Sequence, residues 1–569
     1  MKIRVLALML TLAAVALGAT PSDVANAVER GDKVALRALL ERKADVNAPQ
    51  TGGTTALHWA VYRGDLEIAD LLMRAGANVN AANREGDTPL AMAATFGNAP
   101  MIDRLLKAGA NAKQLGTAGR TMLMLAAHSG NVDTIHLLLA AGINVNAKET
   151  SRGTTALMWA AEQGHPLAVR ALADAGADVS IRSAGAGLPT PYMASTVLTL
   201  TPFDRNGGAT VPQGGRYPVP PGPAAAAPAV EDEGPVAGVR GTGGGGLTAL
   251  VFAAREGDIE SARILLDAKA DVNQTTEFGW SPLLVATENR NYQLGKLLID
   301  RGANVSLANN HGWTPLYLAT DNRNIEGGDY PVPEPDSDHL EFIRLLLDHG
   351  AKVNARVLEG VPKSHSTLTR TIFTMQWFLE EGATPFVRAA QSGDIVLMKL
   401  LLERGADPKI PTSFGDTALT AVAGIGWVEG VTHEWSPRQS AEAVKLLLDL
   451  GLNPNAANQD GRTPLMAAAH KGRTESIQLL IDRGAKLETR DKGSRDTHIV
   501  DLSGHGGWQA IDYADGLVRV GVQSANAHPD ASALLRKLMI QAGLPVPPVD
   551  RLLGYVCAVE GPLCKNSQK

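Results

Sequence analysis

Thr88-Pro-Leu-Ala-Met-Ala93 is one copy of a motif, Thr/Ser-x-Leu-x-x-Ala, that recurs at a regular interval through much of this chain of 569 residues. A second motif, Ala-Asp/Asn-Val-Asn or a variant of it, follows most copies at a constant distance. A repeat of about 33 residues is typical of stacked helical pairs, so this motif decides the fold. Other copies of the first motif begin at Thr55, Thr121, Thr155, Thr248, Ser281, Thr314 and Thr463, with looser ones at Thr384 and Thr417.

Each repeat carries the signals that begin and end two helices. Thr88 is placed to cap the first helix, and Pro89 takes the first helical position, where a missing N–H costs little. In the preceding repeat, Ile68 and Leu72 belong to an apolar stripe with helical spacing, and Gly76 ends that helix. One pair of helices cannot bury such a stripe alone, so each repeat is expected to stack on the next.

Together the two motifs resemble the ankyrin repeat, whose Thr-Pro-Leu-His-x-Ala pattern marks a β-turn followed by two antiparallel helices. The resemblance covers residues 21–545 with interruptions. It implies an all-α fold, an ankyrin-repeat solenoid of about twelve units, each a helix-turn-helix with a β-hairpin loop. It also implies a protein partner and no cofactor.

The resemblance further implies that the partner binds at the hairpin tips and at exposed residues after the Ala-Ala of the first helices. Trp280 and Trp313 lie in hairpins, where packing of one hairpin against the next explains them equally well. Trp427 and Trp435 lie in an insertion within one repeat. The positions after the first helices that we expect to contact a partner are Tyr62, Arg63, Thr95, Phe96, His128 and His470.

Charge and composition argue against nucleic acid as the partner. The chain has 53 Lys and Arg against 59 Asp and Glu, a net charge of −6, and no basic cluster runs along one face. Nucleic-acid binding proteins use such clusters to neutralise phosphates. Aromatic residues make up only 4% of the chain, as expected where thin helices pack through Leu, Ala and Val.

The N-terminal segment, residues 1–19, resembles a secretory signal peptide. Lys2 and Arg4 precede an apolar run, residues 5–19, that ends in small residues with a cleavage point within 16–20. The mature protein is therefore expected to be extracytoplasmic, periplasmic or secreted, without a membrane span. An uncleaved anchor is the alternative, because the apolar run is short for a membrane span but not by a wide margin.

The two cysteines, Cys557 and Cys564, both lie near the C-terminal end of the sequence. An exported chain meets oxidising conditions, so a local disulfide between them is expected. A metal site is the alternative, although two thiolates without further ligands fall short of the four that structural zinc needs. Neither residue is expected to be catalytic.

The spacing of the motifs divides the chain into segments. Residues 20–181 are expected to form an N-terminal array, and residues 247–545 a C-terminal array with insertions. Between them, residues 182–246 are rich in Pro and Gly and are expected to form an insertion or linker. Residues 546–569 form a tail that carries the cysteine pair.

No stretch outside the repeats is large enough for a catalytic domain, so any reaction would have to be carried out by inserted loops. His433 and Glu434 lie beside the two tryptophans in the insertion 424–440, and His505-Gly-Gly507 lies in the insertion 490–508. The first lacks the second histidine of a zinc protease helix, and the second has no accompanying nucleophile elbow. We therefore expect an exported scaffold for protein interaction without catalysis. The alternatives are a ligand-binding protein or enzyme built on these two loops, or a regulator or inhibitor of another exported protein.

Overall fold

A computed structural model describes residues 22–184, 245–325, 334–358, 381–425, 433–492, 507–518 and 526–549. These residues contain 24 α-helices in twelve consecutive pairs and no β-strand, which confirms the predicted all-α solenoid fold. The pairs are α1 (Asp23–Arg30) with α2 (Lys33–Glu41), α3 (Ala56–Tyr62) with α4 (Leu66–Arg74), α5 (Pro89–Thr95) with α6 (Ala99–Lys107), α7 (Met122–Ser129) with α8 (Val132–Ala140), α9 (Ala156–Glu162) with α10 (Pro166–Asp174), α11 (Ala249–Glu256) with α12 (Ile259–Asp267), α13 (Pro282–Glu288) with α14 (Tyr292–Asp300), α15 (Pro315–Arg323) with α16 (His339–Asp348), α17 (Pro385–Ser392) with α18 (Ile395–Glu403), α19 (Ala418–Ala423) with α20 (Pro437–Asp449), α21 (Pro464–His470) with α22 (Thr474–Asp482), and α23 (Ala510–Ala514) with α24 (Pro529–Gln541).

The helices begin and end at the residues that the motif indicated. The hydroxyl of Thr88 accepts a hydrogen bond from the Ala91 N–H at 3.2 Å, so it satisfies a donor that the first turn leaves unpaired. The second helix of a repeat has its own cap, as in α4, where the Asp65 carboxylate accepts from the Ile68 N–H at 3.0 Å. Gly76 follows α4 with a φ of +88°, a conformation that other residues rarely adopt.

Stacking between repeats buries the apolar stripes. Within each stack the first helices pack on the first helices of their neighbours, and the second helices do the same. Leu57 of α3 and Leu90 of α5, two first helices that pack on each other, are fully buried. Ala93 and Ala94 are also buried, because a methyl side chain lets neighbouring helices approach closely. The stability of each stack therefore comes from contacts between repeats.

The last residue of the second motif links one loop to the next. The Asn47 side chain donates to the carbonyl of Gly76 at 3.0 Å and accepts from the Asn78 N–H at 2.6 Å. Asn80 makes the same pair of bonds one repeat later, to Gly109 and Asn111. In the sequence analysis, this asparagine serves only to mark the repeat. Its recurrence at the same place in successive loops is the sequence signal for its structural role.

The described helices fall into two compact units, called unit 1 (α1 to α12) and unit 2 (α13 to α24). The insertion at 182–246 interrupts unit 1, whose stack continues from α9 to α11. The Ser183 N–H donates to the Leu247 carbonyl at 2.8 Å, so the residues flanking the insertion pair within one hairpin. Residues 185–244 lie outside the described residues. The repeat at 248–277 consequently belongs to unit 1, together with the N-terminal array. In the sequence analysis, this repeat is placed in the C-terminal array, which is expected to begin at residue 247.

Other segments singled out from the sequence also lie outside the described residues. They are the signal-like residues 1–19, most of the insertion 490–508, and the tail with Cys557 and Cys564. In the part of the chain that the structure does describe, none of the helices has the length and apolar character required to cross a bilayer.

Candidate partner-binding surface

Three aromatic side chains from the first two complete repeats form a surface cluster, which we call the aromatic patch: Trp59, Tyr62 and Phe96. Trp59 and Tyr62 meet edge to face with ring centroids 5.6 Å apart, and Tyr62 meets Phe96 in the same way at 5.9 Å. Tyr62 is 60% exposed and Phe96 is 52% exposed. Trp59 is half-buried, and its indole N–H donates to the Gln50 side chain at 2.8 Å. The patch is therefore anchored on one side and open to solvent on the other.

A second aromatic pair lies farther along the first helices of unit 1. The ring of His128, which is exposed, contacts the half-buried Trp159 ring edge to face at 5.8 Å. The Arg152 guanidinium lies 5.9 Å from the centre of the Trp159 ring, within reach of a cation–π interaction. Partial burial, together with the nearby His165, lowers the pKa of His128 below its ordinary value. His128 is therefore mostly neutral at pH 7.

Glu162 holds two arginines at the end of this surface. Its carboxylate lies 3.1 Å from Arg152 and 3.0 Å from Arg255. Burial alone would raise the pKa of Glu162, but hydrogen bonds and charge from the two guanidinium groups outweigh that effect and lower it. Glu162 is thus ionised at neutral pH, and the charges in this cluster largely compensate one another.

The remaining predicted positions of unit 1 are also at the surface. Arg63 is exposed, and its guanidinium donates to the Glu29 carbonyl at 3.1 Å. Thr95 is exposed, although its hydroxyl donates back to the Ala91 carbonyl at 3.0 Å. Five residues chosen from the sequence, Tyr62, Arg63, Thr95, Phe96 and His128, therefore share one accessible face of the first helices.

The hairpin tryptophans of unit 2 are placed differently. Trp280 is 3% exposed and Trp313 is 1% exposed, with their ring centroids 6.1 Å apart. His311 also stacks on Trp313, with ring centroids 5.1 Å apart. Their burial corrects the expectation that these two tryptophans project from the hairpins to anchor a partner. They instead pack one hairpin against the next, which was the alternative explanation. A partner cannot reach them without opening the hairpins.

His470 also differs from its counterparts in unit 1. It ends α21 and is buried, with its ring edge to face with Tyr513 at 6.0 Å. Asn289 and Ser392 hold similar positions after α13 and at the end of α17, and they are buried too. The expectation that this face stays exposed along the whole array is therefore wrong for these three positions, whose side chains are buried within unit 2.

Residues 433–436, here called the strap, contact several helices of unit 2, and the Trp435 backbone N–H donates to the Ser392 carbonyl at 3.5 Å. The Trp435 indole N–H donates to the Asn324 side chain at 3.0 Å, and the Arg323 guanidinium lies 4.2 Å above its ring. Arg323 also pairs with Asp394 at 2.7 Å. The sequence indicates Trp435 but not Arg323, because the two are far apart along the chain and nothing in the repeat pattern links them. Trp427 lies outside the described residues.

Glu434 and His433 of the strap both contact other side chains of unit 2. Glu434 pairs with Arg473 at 2.8 Å, and His433 packs edge to face on Trp435 at 4.9 Å. Within the ranges that the structure describes, no three His, Cys, Asp or Glu side chains are grouped so that they could hold a metal ion. His505, which the sequence indicates in the second loop of the alternative site, lies outside those ranges.

Known proteins match this chain through its repeats. The ankyrin repeat and SOCS box protein 16 of Mus musculus is 34% identical over 159 residues, 26% of this chain and 34% of that protein. The ankyrin repeat, SAM and basic leucine zipper domain-containing protein 1 of Dasypus novemcinctus is 30% identical over 105 residues, 18% of this chain and 20% of the relative. Protein phosphatase 1 regulatory subunit 12A of Mus musculus is 38% identical over 60 residues, 10% and 6% respectively.

The chain spans about a third or less of the length of these relatives. The family model described as ankyrin repeats (3 copies) matches residues 24–114, 90–183, 250–357 and 386–491, which together make up more than half of the chain. On that match and on the helical pairs that stack within each unit, this chain belongs to the ankyrin repeat family.

Proposed function

We propose that this protein is a scaffold that binds another protein through the aromatic patch of unit 1 and catalyses no reaction itself. The observation that carries the proposal is the exposure of Tyr62 and Phe96 in mutual contact at the surface. Tyrosine and tryptophan are enriched among the residues that dominate binding energy at protein interfaces. Large apolar rings that remain at the surface of a well-packed stack are best explained by a partner that covers them.

The relatives support a role by binding. One of them is by name a regulatory subunit of a phosphatase, so the part that resembles this chain belongs to a protein described as a regulator. In the described strap, the Glu434 carboxylate is engaged by Arg473 at 2.8 Å in a contact that holds the strap against α22. A regulator or inhibitor of another protein is one form that such a scaffold takes.

Export is a separate part of the proposal and rests on the sequence alone. Lys2, Arg4 and the apolar run at 5–19 support a signal peptide, and export in turn would bring Cys557 and Cys564 into oxidising conditions. N-terminal sequencing of the protein from cell fractions tests it. A new N-terminus near residue 20 in the extracytoplasmic fraction, with Cys557 joined to Cys564 in the unreduced peptide, is expected. A cytoplasmic protein that starts at Met1 would refute it.

Site-specific photo-crosslinking tests the binding surface. A photoreactive amino acid replaces Thr95, which lies beside Phe96, and in a matched variant it replaces Val34, an 80% exposed residue of α2. The Thr95 variant is expected to form a discrete cross-linked product with a protein in an extract of the source cells. The product should disappear when Tyr62 and Phe96 are both changed to Ser. Equal products from both variants, or none from Thr95, would contradict the proposed surface.

A further inference from the structure

We propose that the partner binds as an extended, uncharged segment, with one tryptophan side chain on the aromatic patch and main-chain N–H groups bonded to helix-end carbonyls of unit 1. This inference rests on the proposed function, since it names the chemistry that the same surface would accept. It is argued from unit 2, where segments of the chain itself lie over the corresponding helix ends.

The strap binds the ends of two first helices through its main chain. The His433 N–H donates to the Asn324 carbonyl at 3.1 Å, and the Trp435 N–H donates to the Ser392 carbonyl at 3.5 Å. His433 and Trp435 are alternate residues, and the N–H groups of alternate residues point to the same side of an extended chain. The last carbonyls of a helix have no partner within the helix, so an added segment can satisfy them.

The same kind of contact recurs where a different insertion passes over the end of α13. The Asp336 N–H donates to the carbonyl of Arg290, which follows that helix, at 3.4 Å. This segment and the strap come from different repeats and have different sequences. Their common use of a main-chain N–H indicates that the ends of the first helices in this chain accept extended backbone.

The register of the repeat carries this observation to unit 1. Phe96 is the eighth residue after the capping Thr88, as Ser392 is after Thr384, and a glycine follows each of them. Ser392 is 1% exposed where the strap contacts it, whereas Phe96 is 52% exposed. Arg63 holds the same place in the repeat of α3 and is also exposed. The helix ends that unit 2 covers with its own chain are therefore open at these two positions of unit 1.

The carbonyls of Arg63 and Phe96 are free acceptors. In the part of unit 1 that the structure describes, no N–H or O–H group donates to either oxygen. The Phe96 carbonyl belongs to the same residue as one ring of the aromatic patch. A partner residue that donates its main-chain N–H to this oxygen therefore brings its own side chain close to Tyr62 and Phe96.

The strap also indicates which side chain the partner presents. The residue that donates to the Ser392 carbonyl is Trp435. In unit 1, Trp59, Tyr62 and Phe96 form a series of edge-to-face contacts that a further ring can extend. Tryptophan is also among the residues that contribute most to binding at protein interfaces. A tryptophan of the partner therefore fits the patch best.

The charges beside the patch offset each other and do not select an ionised partner. The Glu29 carboxylate accepts from Gln50 at 2.6 Å, and its carbonyl accepts from the Arg63 guanidinium at 3.1 Å. Gln50 uses its whole amide, since it also donates to Asn26 and accepts from Trp59, each at 2.8 Å. This edge of the patch thus offers rings and main-chain carbonyls, which suit an uncharged segment.

Fluorescence anisotropy with the full chain and labelled peptides tests the proposal. The parent probe is a peptide of Ser, Thr and Gln with one central Trp. It is expected to bind at least about tenfold more tightly than the same peptide with Ala in place of Trp. It should also bind at least about threefold more tightly than a peptide in which an ester oxygen replaces the N–H of that Trp, because the ester cannot donate.

Two controls accompany these probes. A peptide with the ester at its last residue should bind like the parent, because that N–H lies away from the patch. Raising the salt concentration to about 0.5 M should change the affinity of the parent peptide by less than about twofold, since no ion pair is involved.

Variants of the chain separate the ring contact from the main-chain contact. Tyr62→Ser with Phe96→Ser is expected to abolish the preference for Trp over Ala but to keep the effect of the ester, since both carbonyls remain. The matched control is Leu167→Ser, at a 69% exposed position of α10, which should leave both preferences unchanged. Circular dichroism confirms that the variants fold.

Three results would overturn the proposal. They are equal binding of the Trp and Ala peptides, equal binding of the parent and its central ester, and tighter binding of a peptide in which Glu or Lys replaces Ser. If none of the peptides binds while the Thr95 cross-link still forms, the partner chemistry is wrong and the binding surface stands. If both experiments fail, the proposed function fails as well.

Discussion

At the scale of single residues, burial separates positions that hold the stack together from positions free to bind a partner. Leu90 and Phe96 are both apolar and both belong to the repeat of α5, yet the first is buried and the second is largely exposed. Substitutions at the two positions should therefore change different properties of the protein.

Leu90→Ala is expected to destabilise unit 1 by about 2–5 kcal/mol, because it removes buried methyl groups and leaves a cavity in the seam between repeats. Leu167→Ala, at an exposed position of α10, should change the free energy of unfolding by less than about 0.5 kcal/mol. Urea denaturation followed by circular dichroism compares the two variants. Similar midpoints for both would show that the seam is not where the stability of unit 1 resides.

Asp416 predicts a pH dependence of stability. Burial, only partly opposed by the hydrogen bond from Asn458 and the charge of Arg462, raises the pKa of its carboxyl from 3.8 to about 6. A raised pKa in the folded state means that folding is favoured when the carboxyl is protonated. The contribution is fully present below about pH 4 and is lost as the pH rises through 6.

Asp416→Asn should remove that dependence. The variant keeps an acceptor for the Asn458 side chain, which donates to Asp416 at 2.9 Å, and carries no ionisable group. Relative to the natural chain, its free energy of unfolding should gain about 2–3 kcal/mol between pH 4 and pH 8, since each pKa unit is worth about 1.4 kcal/mol. Denaturation at both pH values measures the difference. A constant difference would mean that Asp416 titrates in its ordinary range.

At the scale of elements, the strap joins repeats that are not neighbours in sequence. Trp435 contacts Arg323 and Asn324 at the end of α15, and Glu434 contacts Arg473 before α22. Four consecutive helical pairs, from α15 to α22, are thus bridged by residues 433–436. We infer that the strap compensates for the long insertions in this part of unit 2.

Trp435→Ala is expected to destabilise unit 2 by about 2 kcal/mol, through loss of the Arg323 contact, the hydrogen bond to Asn324 and partly buried apolar area. Amide hydrogen exchange should accelerate in α15 and α17 and remain unchanged in α3 to α9. Trp435→Phe, which keeps a ring beneath Arg323 but not the indole N–H, should show a smaller effect. Unchanged hydrogen exchange in α15 would show that Trp435 of the strap does not stabilise this helix.

At the scale of the whole molecule, the insertion at 182–246 interrupts a hairpin that is otherwise ordinary. The Gly246 N–H lies 3.3 Å from the Ala184 carbonyl, and Gly246 has a φ of +70°. Gly53 occupies the equivalent place in an uninterrupted hairpin with a φ of +80°. The geometry of the repeat is therefore complete without the residues between 184 and 245.

Deletion of residues 185–244 should leave unit 1 folded and slightly more stable. Joining Ala184 to Gly245 restores, between Thr155 and Thr248, the regular spacing of the motif found elsewhere in the chain. Shortening a loop from about 60 residues lowers the entropy cost of closing it, by about 0.6 kcal/mol for each halving. Differential scanning calorimetry should show an equal or higher melting temperature for unit 1. A lower one would indicate that the insertion contributes to its stability.

The sequence by itself determined the number of helical pairs, their caps and their buried leucines, because those features depend on residues within one repeat of each other and recur. It also indicated Tyr62, Phe96 and His128, whose exposure follows from the local period of the helix. Tertiary structure alone decided that Trp280, Trp313 and His470 are buried and that Trp435 lies against Arg323. Those contacts join side chains on different repeats, and the non-repetitive segments that shape them leave no periodic signal in the sequence.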